Sequence, residues 1–201
     1  MTQGIDFASV PGDLTSLDQW VLWQEIKRDG RSTQMPFSFY RTAASSTNPA
    51  TWAGFESVVT TFDESQDSGI GFVFTPDDNL FGIDLDGCRN SETGTLEPWA
   101  DSIVETFATY FEVSPSGTGV KLFCRSERQL PGGKKKTIGA ERVSNKTPGV
   151  EAYSQAQYFA VTGHALNGIR ATQRSRTTCP ATGSQKGPEG LPSRRQGLRP
   201  G

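Results

Sequence analysis

Histidine is nearly absent from this sequence: His164 is the only one in 201 residues. A metal site built on two or three imidazoles is therefore excluded within the chain, and any metal here is held mainly by oxygen. Cysteine is scarce too. Cys88, Cys124 and Cys179 are odd in number, widely spaced and free of any Cys-x-x-Cys pattern. They support neither a disulfide framework nor a cysteine zinc site, and they point to a reducing compartment. Long apolar runs are missing. Nothing approaches the ~18 residues a membrane helix needs, and Met1 to Asp18 lacks the basic start and apolar centre of a signal peptide. The expected location is cytoplasmic, with no membrane partner. An excess of one charge is also lacking: 20 Lys+Arg stand against 22 Asp+Glu, a net charge of -2. Contact with nucleic acid must then come from a local patch.

Hydrophobic residues make up only 34%, with 22 Gly and 12 Pro, and the dilution is concentrated at one end. From Ala171 to Gly201 there is no aromatic residue, and six basic residues face the single acid Glu189. Such a segment buries too little apolar surface to offset its ordering entropy. The expected organisation is one packed domain over residues 1–170 and a basic, disordered tail over 171–201.

Within the first 170 residues, helical and extended patterns interleave. Trp20-Val21-Leu22-Trp23 reads as a buried strand. After Asn48-Pro49, Thr51 is expected to cap a helix carrying Trp52, Phe55, Val58, Val59 and Phe62 on one face. Ile70 to Thr75 and Leu80 to Asp86 read as strands, and Pro76 to Asn79 as the turn of a hairpin between them. Pro98 opens a helix with a stripe of Trp99, Ile103, Phe107 and Phe111. Val120 to Arg125, Val150 to Tyr153 and Tyr158 to Thr162 complete the strands. This mixture indicates an α+β or α/β domain.

Three stretches carry chemistry. In Leu80 to Gly87 the period of two puts Phe81, Ile83 and Leu85 on one face and Gly82, Asp84 and Asp86 on the other. Two like charges on one strand face call for a cation between them, and Mg²⁺ takes such carboxylates. Gly82 suggests a gap through which substrate approaches. Solvated strand carboxylates are the plainer alternative. In Ser114 to Phe123, Gly117 and Gly119 allow backbone N–H groups to approach an anion, Ser116 and Thr118 add hydroxyls, and Lys121 adds a full charge. Phosphate is the obvious guest, a tight turn the alternative. Glu151, alone in an apolar strand, is a candidate third carboxylate. Between these, Lys134, Lys135 and Lys136 follow Gly132-Gly133, a loop suited to a phosphate backbone or simply a solvated charge run.

Taken in order, the segments Trp-Val-Leu-Trp, Asn-Pro-x-Thr-Trp, Gly-Ile-Gly-Phe-Val-Phe, Gly-Ile-Asp-Leu-Asp-Gly, Ser-Pro-Ser-Gly-Thr-Gly, Val-Glu-Ala-Tyr and Tyr-Phe-Ala-Val-Thr-Gly-His resemble the primase-polymerase domain of the archaeo-eukaryotic primase superfamily, in its phage, plasmid and mobile-element branch. The resemblance runs from Leu17 to Leu166. It implies an RRM-like catalytic sheet with an N-terminal α/β part beside it. It also implies metal-dependent nucleotidyl transfer from nucleoside triphosphates on a single-stranded DNA template or primer. On that reading Asp84, Asp86 and Glu151 ligate Mg²⁺ or Mn²⁺, while Ser116, Gly117, Gly119 and Lys121 meet the nucleotide phosphates. Three positions depart from the family. Lys121 stands where histidine is usual, Gln34 where lysine is, and Gln157 where arginine is. Longer members continue into a helicase-type region, so a truncated or standalone form and a helicase partner are expected. The alternatives are a non-catalytic DNA-binding initiator or accessory module of the same fold, and an unrelated metal-dependent nuclease.

Overall fold

The computed structural model describes residues 4–28, 30–126, 133–139, 141, 142 and 144–166. The expected basic tail at 171–201 lies outside the described residues.

Among the described residues nine strands form two antiparallel sheets. The first has the order β2-β1-β3-β9, from β1 (Trp20–Arg28), β2 (Arg31–Phe37), β3 (Gly69–Phe74) and β9 (Gln157–Val161). The second has the order β5-β6-β4-β8-β7, from β4 (Leu80–Asp86), β5 (Tyr110–Val113), β6 (Val120–Arg125), β7 (Lys134–Thr137) and β8 (Gly149–Tyr153). Helices α1 (Gly12–Thr15), α2 (Phe55–Thr61) and α3 (Pro98–Phe107) complete an α+β architecture. No helix among the described residues is long and apolar enough to cross a membrane.

The hairpin expected between β3 and β4 does not form. The turn chemistry is there: Asp78 accepts hydrogen bonds from the Leu80 N–H, the Thr75 hydroxyl and the Gln19 amide. The two strands nevertheless enter different sheets, because β3 already has β1 and β9 on its two edges and β4 has β6 and β8. The turn thus carries the chain from one sheet to the other.

Two further expectations need correction. Thr51 ends a 3₁₀ turn, Pro49–Thr51, and α2 starts only at Phe55 after Gly54, so Thr51 is not its cap and Trp52 lies outside it. Helix α3 starts at Pro98 as its sequence suggests but stops at Phe107, where Ala108 turns left-handed at φ 45. Phe111 therefore lies on β5, and Ala100 and Val104 are the most buried positions of the helix. Trp99, Ile103 and Phe107 pack half-buried beside them.

Apolar side chains gather on both faces of the second sheet. Phe81, Ile83, Leu85 and Leu122 pack with Val104 of α3 on one face. On the other, Tyr110 and Phe123 meet Phe72, Phe74 and Phe159 of the first sheet. The Phe74 and Phe159 rings stand edge to face at 5.0 Å. Gly82 sits under that pair: a Cβ there would fall 2.2 Å from Phe159 and 2.6 Å from Phe74. Its missing side chain admits two core rings, and not the substrate expected from the sequence.

Candidate active site

The strand registers align one residue from each strand of the second sheet in a single row. Glu112 faces Lys121, Lys121 faces Asp84, Asp84 faces Glu151, and Glu151 faces Lys135. Directly opposed residues of antiparallel neighbours share a face, so five charged side chains cross the sheet together. Asp86 joins that face through the period of two.

Each carboxylate proposed from the sequence holds a lysine. Lys121 Nζ lies 2.6 Å from Asp84 Oδ2, and Lys146 Nζ lies 2.8 Å from Asp86 Oδ1. Lys135 pairs with Glu151, which also accepts the Tyr153 hydroxyl at 2.6 Å. Burial acts to raise the Glu151 carboxyl, but the bonds from Lys135 and Tyr153 outweigh it and hold the group below its ordinary value. The same bond from Lys135 keeps that ammonium above its usual range, and Glu151 pushes the Tyr153 hydroxyl up to about 12.

A cleft of about 740 Å³ separates the two sheets here. Asp84, Asp86, Lys121 and Lys146 line one wall, Ser116 the rim, and Gln34 of β2 the opposite side. Glu151 is not among its lining residues. Among the described residues no three carboxylates converge closely enough to hold one ion. Yet Asp84 Oδ1 is buried with no hydrogen-bond partner among the described residues, a hard oxygen of the kind a divalent cation takes. With Asp86 two residues away on the same face, the donor set fits Mg²⁺ or Mn²⁺.

The loop between β5 and β6 is built differently from a phosphate cradle. The N–H groups of Gly117, Thr118 and Gly119 bond inward, to Ser114 O, Ser116 Oγ and Ser114 Oγ. Gly117 needs its left-handed φ of 74, and Gly119 lies so close to β4 that a Cβ would meet Leu85 O at 2.5 Å. These two glycines shape the loop, and Ser114, Pro115 and Ser116 are its members that line the cleft. Arg89 donates to Gly117 O at 2.8 Å and ties the loop to the segment after β4.

The three lysines of β7 do not form one patch. Lys135 shares the face of Glu151, whereas Lys134 and Lys136 oppose Ala152 and Val150 on the face that packs toward α3. All three are exposed.

Sequence reasoning missed Lys146, whose segment has no periodicity to mark it, and Glu112. Glu112 is fully buried and accepts bonds from Tyr110 Oη at 2.7 Å and from the N–H groups of Thr162 and Gly163 at 2.8 and 2.9 Å. It joins the edge of the second sheet to the end of β9, and burial pushes its carboxyl up to about 7. An acid inside the apolar run Tyr110 to Val113 was the available signal. His164 has a structural place: its carbonyl accepts the Val113 N–H, and its Nε2 is buried without a partner.

Comparison with known proteins adds a relative. The chain is 28% identical over 161 residues to a DNA primase-polymerase of Nitratiruptor phage NrS-1, across 77% of this chain and 20% of that protein. That similarity supports a relationship to primase-polymerases. The chain spans about a fifth of the relative's length. No family model matches it.

Proposed function

We propose that this chain is the catalytic domain of a template-directed DNA primase-polymerase of a phage, plasmid or integrated element, with the archaeo-eukaryotic primase fold. The observation that carries the reading is the cleft shared by Asp84, Asp86, Lys121 and Ser116, with the unpartnered Asp84 Oδ1 inside it. The similarity to a phage primase-polymerase supports the same reaction class.

In this reading Asp84 and Asp86 hold Mg²⁺ or Mn²⁺, and Glu151, opposite Asp84 on the neighbouring strand, is the third carboxylate of that face. The bound cation supplies a lowered pKa for the primer 3′-hydroxyl and a counter-charge for the departing pyrophosphate. Lys121, fixed between the two sheets, holds the triphosphate as a point charge, and the Ser116 hydroxyl adds a hydrogen bond at the rim. The 3′-oxygen forms a bond to the α-phosphorus, the bond from that phosphorus to the bridging oxygen breaks, and the hydroxyl proton leaves to solvent. Single-stranded DNA is the template, and a replicative helicase is the expected partner of such a module.

A second reading is a DNA-binding initiator or accessory module of the same fold. The lysine held by each carboxylate and the neutral Gln34 across the cleft favour it. Labelled nucleotides on a single-stranded template, with and without primer and with Mn²⁺, separate the two. Extension supports the enzyme, binding without extension supports the accessory module, and degradation of the DNA points to a nuclease.

A further inference from the structure

The three lysines that neutralise the site differ in their freedom to move. Lys121 is on a central strand, its side chain 10% exposed and its Nζ 4.4 Å from the Phe159 ring centroid. Lys135 is 71% exposed on the edge strand, and its partner Glu151 stands outside the cleft lining. Lys146 alone combines a place on the cleft wall with a side chain that is 44% exposed.

The backbone beneath Lys146 is anchored. Gly87, left-handed at φ 59, lies against the Lys146 carbonyl, where a Cβ would fall 2.9 Å away. The neighbouring Pro148 carbonyl accepts the Ile138 N–H, and Thr147 accepts Arg142 Nη2. The lysine stem thus starts from a fixed point beside the end of β4 and swings on four methylenes with three donors at its tip. Among the described residues its ammonium is held by Asp86, a carboxylate that the proposed reaction needs for a cation.

We infer that Lys146 is an exchangeable cation of the active site: it neutralises Asp86 in the ion-free cleft and turns to the phosphates of the incoming nucleotide once Asp86 ligates a divalent ion. Charge balance requires something of this kind. On the cleft wall Asp84 and Asp86 each pair with an ammonium, whereas Asp67 opposite holds the Arg41 guanidinium; cation ligation by the two aspartates would free their lysines as an anionic triphosphate arrives. Lys146 then competes with the metal and cooperates with the nucleotide. The inference rests on the proposed nucleotidyl-transfer reading, and it adds a phosphate contact from a loop that the sequence left unassigned.

The two roles predict opposite shifts in one variant. Mn²⁺ affinity is read by electron paramagnetic resonance of the free ion, and triphosphate affinity by calorimetry with a deoxynucleoside triphosphate in the presence of Mn²⁺. Removing an exposed competing ion pair in Lys146→Ala should tighten Mn²⁺ binding without nucleotide by roughly two- to fivefold. Losing a charge-assisted phosphate contact should weaken triphosphate binding by about tenfold or more. Lys146→Arg, which keeps the charge, should stay near the unaltered protein in both. Lys27→Ala, which removes an exposed charge on β1, should shift neither. Unchanged Mn²⁺ affinity in Lys146→Ala, a shift of both affinities in one direction, or the same shifts in Lys27→Ala overturns the inference while the enzymatic reading stands. If the unaltered chain binds no Mn²⁺, that reading fails and the inference falls with it.

Discussion

Lys121 and Phe159 meet across the junction of the two sheets, the ammonium 4.4 Å from the ring centroid and 2.6 Å from Asp84. The Lys121 charge is taken up by Asp84, and in the proposed reaction a cation ligating Asp84 leaves that ammonium for an anion in the cleft. Lys121→Ala should therefore raise the nucleotide KM far more than it weakens DNA binding. It should also lower stability by about 1–3 kcal/mol, since Asp84 loses its partner. Mn²⁺ should restore part of that loss in a thermal melt. Equal weakening of nucleotide and DNA binding would assign Lys121 to the template instead.

Gly82 predicts a purely structural effect. Alanine there would press on Phe159 and Phe74, whose rings have core neighbours on their far sides. Overpacking of this kind costs about 1–3 kcal/mol. Chemical denaturation of Gly82→Ala should show that loss. An unchanged midpoint would mean that the sheets separate more easily than their packing indicates.

Glu112 predicts a slope of stability with pH. Its carboxyl is raised from 4.5 to about 7, with burial as the main cause. Between those values the folded chain keeps a proton that the unfolded chain has released, so stability falls as pH rises through this window. The full change corresponds to about 3 kcal/mol. Glu112→Gln, which keeps a neutral side chain of the same shape, should flatten the slope. Denaturation midpoints measured at intervals from about pH 4.5 to about pH 8 test this, and an equally steep slope in the variant would assign the dependence to other groups.

Much of this architecture is legible in local pattern. The alternation in Leu80 to Asp86 places the aspartates opposite the core residues because a half-buried strand must separate the two kinds. Pro98 opens α3 because its missing N–H costs nothing at a helix start. The hairpin is illegible for a topological reason: the turn at Pro76 to Asn79 has the same chemistry whether its strands pair or part, and only the partners of β3 and β4 decide. The inward bonds of the Ser114 to Gly119 loop are hidden because glycine permits a phosphate cradle and a closed turn alike. Lys146 is hidden because a loop lysine has no period, and its partner Asp86 is 60 residues away in sequence. The row from Glu112 to Lys135 depends on registers among five strands, three of whose neighbours are distant in sequence, so single-strand patterns do not reveal it.

The central claim is that Asp84 and Asp86 serve nucleotidyl transfer, and primer extension with Mn²⁺ tests it most directly. Unaltered protein should extend a labelled primer on a single-stranded template. Asp84→Asn and Asp86→Asn should each lower that extension by at least about 10²-fold, the scale of losing one preorganised electrostatic contact, while circular dichroism shows the same fold. Extension that persists in both variants, or that is absent from the unaltered protein with every divalent ion supplied, would contradict the account.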